Sequence, residues 1–143
     1  MRVARTTQLV GMLFLAALAG TLVGAAESTP TPTRYGNVIG LRAEKSAEYK
    51  KLHASVWPAV AKAIRDANIR NYSIYLRKLD DGNYYLFSYF EYVGQDFQAD
   101  MAKMGADPET KRWWKFTDPC QKPLNDRKEG EWWVPLEEVF HQD

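Results

Sequence analysis

The stretch SAEYKKLHASVWPAVAKAIRDANIRNYSIYL, residues 46–76, decides the fold, because it reads as a helix running into a strand. Its apolar positions Tyr49, Leu52, Val56, Val60, Ala63, Ile64 and Ala67 follow steps of three and four, the spacing of one helix face. Ser46 stands where an N-cap is expected, with Glu48 close behind, so the spacing predicts a helix from there to about Asn68. Pro58 interrupts it. A proline in a helix interior removes one hydrogen bond, which predicts a kink at SVWP. The pattern then changes to NYSIYLRKL (71–79), rich in aromatic and β-branched residues, which reads as a strand.

Working outward, YGNVIGLRA (35–43) is a strand ahead of the helix. DDGN (80–83) is a hairpin turn, with Asp-Gly supplying positive φ, and YYLFSYFEYV (84–93) is the returning strand. Residues 95–105 read as helical. DPETKRWWKFTD (107–118) is a second short helix, with Asp107 as N-cap and Pro108 at its first position. CQKPLNDRKEGE (120–131) is a polar loop. WWVPLEEVFHQ (132–142) is a final strand that Pro135 leaves unpaired on one edge. The order β-α-β-β-α-β predicts an α+β, ferredoxin-like plan, an antiparallel sheet with helices on one face. The other face needs a cover. In a chain this short a second copy supplies it, which predicts a homodimer.

A length of 143 residues suits one domain, and 45% hydrophobic with 26% charged residues suits a globular one. Near-neutral net charge and the lack of a basic run exclude nucleic acid as a partner. The N-terminus is set apart. Arg2 and Arg5 precede an apolar run from about Leu9 to Val23, and Gly24, Ala25 and Ala26 follow, the layout of a cleaved signal peptide over 1–26. The run is shorter than the roughly 20 residues that span a membrane, so no stable insertion is expected after cleavage. Residues 27–34 read as a Pro/Thr-rich tether and 35–143 as the folded domain, exported to the periplasm or the cell exterior. Cys120 is the only cysteine, so no internal disulfide can form.

The candidate chemistry is sparse. Tyr49, His53 and Trp57 are four residues apart, about 40° around a helix at each step, and form one slanting stripe. A lone histidine there is most often a packed structural residue. Its functional reading is a proton carrier, since an ordinary pKa of about 6.5 allows transfer in both directions near neutrality. His141 lies near the C-terminus and reads as bland. The Cys and His counts exclude the usual zinc sets, and neither a Gly-rich phosphate loop nor a G-x-S-x-G elbow is present. Trp113 and Trp114 sit between Arg112 and Lys115. Helix neighbours point about 100° apart, so one can pack while the other lines a cleft. Aromatic faces with hydroxyls nearby suit a sugar ring or, alternatively, a flat apolar ligand.

Tyr49, then H-x-x-x-W-P (His53, Trp57, Pro58), NYSIYL (71–76), RWWK (112–115) and LEEVF (136–140), in this order and at these separations, resemble the L-rhamnose mutarotase family. The likeness runs from about residue 35 to 141. It implies a dimeric α/β barrel of ferredoxin-like protomers that interconverts the α and β pyranose anomers of a free monosaccharide, with no metal or organic cofactor. The resemblance puts the proton-donating histidine at His53, the sugar-binding tyrosines at Tyr49 and Tyr72, and the tryptophan pair at Trp113 and Trp114. Two departures stand out. The family pattern has Asn-Pro after the histidine, where this chain has Ala54-Ser55, and well-known members work inside the cell, where no leader is needed. Two other readings fit the same order of elements: a non-catalytic exported sugar-binding module, and a small dimeric α/β barrel oxygenase whose histidine binds haem.

Overall fold

The computed structural model describes residues 31–142. The expected signal peptide over 1–26 lies outside the described residues, as do 27–30 of the expected tether. The first strand, β1 (Thr33–Leu41), starts at Thr33, ahead of the expected Tyr35. Thr33 pairs with Tyr92, and Arg34 donates from Nε and Nη2 to the two carboxylate oxygens of Glu138 at 2.7 and 3.0 Å. The end of the expected tether is thus part of the sheet.

The long helix is two helices, α1 (Ser46–His53) and α2 (Pro58–Asp66). Ser46 is not the N-cap. Lys45 holds that position without a side-chain cap bond, at the end of a short 3-10 turn, Ala43–Lys45. Pro58 does more than kink the chain. It occupies the first turn of α2, where a backbone N–H has no intrahelical partner in any case. Residues 54–57 leave the helix, and Trp57 is extended, with φ −61 and ψ 136. Asn68, at φ 58, turns the chain out of α2 and its carbonyl accepts from the Val93 N–H.

The hairpin follows as β2 (Ile69–Lys78) and β3 (Tyr84–Tyr92). Then come α3 (Phe97–Ala106) and α4 (Pro108–Thr117). Asp107 caps α4 by accepting from the Thr110 N–H at 2.7 Å, as its sequence position predicts. The last part of the chain differs from expectation. The expected loop contains a short strand, β4 (Gln121–Lys122), and the expected final strand shrinks to β5 (Val134–Leu136). Both pair antiparallel with the same edge of β1: Leu41 with Gln121 at one end, Val38 with Val134 and Gly36 with Leu136 further along. The fourth strand of the sheet is therefore split, and the residues between its halves loop out.

Strand order is β2-β3-β1-β4, with β5 also on β1, which is the ferredoxin-like α+β plan. The helix-covered face supplies Ile39, Leu41 and Leu86 to a core shared with Tyr49 and Cys120. On the opposite face Tyr75 is 63% exposed, beside half-buried Phe87 and Tyr89. The β2–β3 register shifts between Arg70 and Ser73, where Asn71 has φ 49. This bulge inserts one residue and puts Tyr72 on the helix side together with Ile74.

Gly40 makes the close approach of β4 possible, since a Cβ there would lie 2.6 Å from the Lys122 carbonyl oxygen. Gly40→Ala is expected to destabilise the fold by about 1–3 kcal/mol through this backbone clash. The readout is a lower urea midpoint at unchanged slope. An unchanged midpoint would mean that β4 is not seated on β1 in this way.

Candidate functional site

A cleft of about 1050 Å³ opens between α2, α4 and the β2 end of the sheet. Its walls include His53, Tyr72, Trp113, Trp114, Trp132 and Trp133. Its position follows from the breaks in regular structure. The end of α1 places His53, the bulge in β2 places Tyr72, and α4 carries the tryptophan pair.

His53 is the last residue of α1, and its Nδ1 lies 3.0 Å from the Tyr49 carbonyl oxygen. A carbonyl only accepts, so Nδ1 carries the proton. In the neutral ring Nε2 then holds the lone pair, and His53 forms part of the cleft wall. Burial lowers the His53 pKa below its ordinary 6.5, and the bond to the Tyr49 carbonyl opposes that shift. At neutral pH the resting imidazole is therefore uncharged, with Nε2 able to take a proton.

Tyr49 is 4% exposed and lies behind His53, in the core. Its ring stacks on the imidazole at 4.1 Å. Burial pushes its phenol far up, and a hydrogen bond with the Gln121 side chain partly offsets this. Gln121 Oε1 accepts from the Trp132 Nε1–H. The indole nitrogen can only donate, so the Gln121 amide NH₂ is the end that serves the Tyr49 oxygen. Tyr49 thus backs the histidine, while Tyr72 forms part of the wall. The Tyr72 side chain is 42% exposed, yet its phenol is pushed up to about 12 by burial.

Trp113 is 5% exposed and packs edge-on against both His53, at 5.4 Å, and Trp57, at 5.3 Å. Trp57 does not continue the helical stripe with Tyr49 and His53, because the chain has left the helix there. It reaches the site through Trp113 instead, and the Arg112 guanidinium lies 4.3 Å over its ring. Trp114, at 37% exposure, presents more of itself to solvent. The tryptophan pair thus divides as adjacent helix positions must, one buried and one open.

Four lining or supporting residues were not anticipated. Trp132 and Trp133 stand at the end of a polar loop, and two adjacent indoles in such a loop were a readable sign. Gln121 gave no sign, since its role depends on β4. Asp118 also lines the cleft, and burial raises its carboxyl pKa against the effect of the Thr117 hydroxyl. The Cys120 thiol is fully buried, with its pKa raised by desolvation, and leans on the Phe116 carbonyl at 3.4 Å, so it is a packing group.

Residues 34–142 match the family model described as L-rhamnose mutarotase. An L-rhamnose mutarotase of Phocaeicola vulgatus is 35% identical over 102 residues, which cover 67% of this chain and 85% of that one. An L-rhamnose mutarotase of Lactiplantibacillus plantarum is 32% identical over 110 residues, 77% of this chain and 98% of the relative. A solved L-rhamnose mutarotase structure from Formosa agariphila aligns with a TM-score of 0.57 at 23% identity, covering 78% of this chain and 99% of its own, a likeness of fold. The matched span holds all but the first residue of the strands and helices described above together with the histidine, the tyrosines and the tryptophan pair, and on that footing the chain belongs to the L-rhamnose mutarotase family, a family of isomerases.

Proposed function

We propose that this protein is a sugar mutarotase, interconverting the α and β pyranose anomers of L-rhamnose or a related deoxy sugar. The observation that carries the reading is the fixed imidazole of His53, with Nδ1 held by the Tyr49 carbonyl at 3.0 Å and the residue part of the cleft wall. Neutral His53 takes the proton of the C1 hydroxyl at Nε2 as the bond between C1 and the ring oxygen breaks. The imidazolium then gives that proton to the ring oxygen. Both oxygens start on C1, so one imidazole serves both in turn. The aldehyde rotates about the C1–C2 bond and the same steps run backward from its other face. No electrons are gained or lost. The Tyr72 hydroxyl and the Asp118 carboxyl hold sugar hydroxyls, and the open Trp114 indole covers the apolar sugar face and keeps water out, while the buried Trp113 supports His53.

The test is anomer exchange of L-rhamnose followed by saturation-transfer NMR. Wild-type protein is expected to accelerate exchange, and folded His53→Ala to lose roughly 10²–10⁴-fold of that acceleration. The pH profile has a definite sign. Because burial depresses the His53 pKa, the base form is already present at neutrality, so kcat/KM should rise with pH on a limb centred below 6.5 and then level off. Folding stability follows the same group. The unfolded chain binds the His53 proton more readily than the folded one, so this contribution is lost as pH falls from 6.5 through the depressed value. Full activity in His53→Ala, or the absence of an acid limb, would defeat the assignment.

The proposed state is a homodimer closed over the helix-free sheet face, a reading supported by Tyr75 at 63% exposure next to Phe87 and Tyr89. Wild type should sediment as a dimer at micromolar concentration, and Tyr75→Asp should shift it toward monomer. A monomeric wild type would refute this.

Export is proposed from the leader-like segment 1–26. N-terminal sequencing of protein from the native host should then start near residue 27, in an extracytoplasmic fraction. An intact N-terminus in the cytosol would refute it.

A further inference from the structure

A single deoxy sugar at His53 leaves much of the cleft unfilled. The cavity measures about 1050 Å³. Pockets that enclose a drug-sized ligand span roughly 300–1,000 Å³, and one pyranose ring is smaller than such a ligand. The remaining wall is not generic. Trp132 is 43% exposed and Trp114 37%, so two large apolar faces stand open to solvent beside the histidine end. Exposed apolar area of this kind is unfavourable by roughly 25 cal/mol per Å² until something covers it.

Trp132 is also held in place. Its indole nitrogen donates to Gln121, a side chain only 5% exposed, whose amide also bonds Tyr49. A buried polar group therefore fixes the orientation of an exposed ring and ties it to the residue that backs His53. Trp133 packs against the core cluster and anchors the same loop. Arg65 and Arg70 line the cleft at the start of β2, and Arg70 Nη1 donates to the Arg65 and Ile69 carbonyls at 2.8 Å each. A fixed indole face continuous with the cleft at His53 matches the C–H face of a second pyranose ring.

We propose that the cleft takes a reducing saccharide longer than one ring, with its reducing-end ring at His53 and the next ring stacked on Trp132. The reaction at the reducing end rests on the mutarotase reading, and the added ring does not change its balance. The C1–ring-oxygen bond opens and closes, one proton moves from the C1 hydroxyl to the ring oxygen and back, and the glycosidic bond stays intact.

The test compares L-rhamnose with a reducing disaccharide of two L-rhamnose rings. Anomer exchange is measured by saturation-transfer NMR, and binding by quenching of tryptophan fluorescence, for wild type and Trp132→Ala. Wild type is expected to show a kcat/KM for the disaccharide about ten-fold or more above that for the monosaccharide, the effect of one added well-seated group. Trp132→Ala should lower the disaccharide value about ten-fold more than the monosaccharide value. Wild type that exchanges L-rhamnose but gains nothing from the second ring overturns this inference and spares the mutarotase reading. Exchange of neither sugar defeats the mutarotase reading. In that case disaccharide binding at least ten-fold tighter than monosaccharide binding, and weakened in Trp132→Ala, upholds the longer ligand, and equal binding overturns it. The wild-type comparison stands whether or not the variant folds.

Discussion

The missing N–H of Pro58 is the constraint from which the site follows. It cannot continue the hydrogen-bond ladder of α1, and it fits the first turn of α2, so the chain leaves the helix over 54–57. His53 thereby becomes a helix-terminal residue in the cleft wall, with its ring folded back on the Tyr49 carbonyl. Trp57, released from the helix, turns to meet Trp113 and takes Arg112 across its face. A continuous helix would have put His53 and Trp57 on one stripe and removed the packing of Trp57 on Trp113.

The second organising element is β1, which pairs along its length with β3 on one side and with both β4 and β5 on the other. Its central position sets the depth of the core beneath His53. Because β4 seats Gln121 beside Tyr49, the far end of the chain reaches the histidine through buried polar contacts. A buried amide with both ends occupied rigidifies such a network, and the same amide left half-satisfied would destabilise it.

Much of this was legible in the sequence, for identifiable reasons. The α4 cap at Asp107-Pro108 and the β2–β3 hairpin follow from local chemistry, and both stand where that chemistry puts them. His53, Tyr72, Trp113 and Trp114 all reach the cleft wall. Tyr49 does not, because helix spacing gives a direction around an axis and not a depth, and depth here is set by stacking beneath the imidazole. The last strand was drawn too long because WWVPLEEVFHQ alternates well enough for a strand, while only Val134–Leu136 finds a partner on β1. Gln121 was unreadable, since nothing local marks a glutamine whose value comes from two partners brought to it by the fold. The bulge at Asn71 was equally silent, and it decides which way Tyr72 faces.

The split fourth strand separates two kinds of change that usually interfere. Each half is held by its own pairing with β1, so residues 123–133 can lengthen, shorten or change character without moving the register of either half. The end of that segment forms one wall of the cleft, whereas the histidine is carried by α1. Ligand preference can therefore drift through insertions and replacements in one loop while the proton-transfer apparatus stays under separate selection. A small scaffold with one histidine at its cleft can gain breadth of substrates in this way without a second active site.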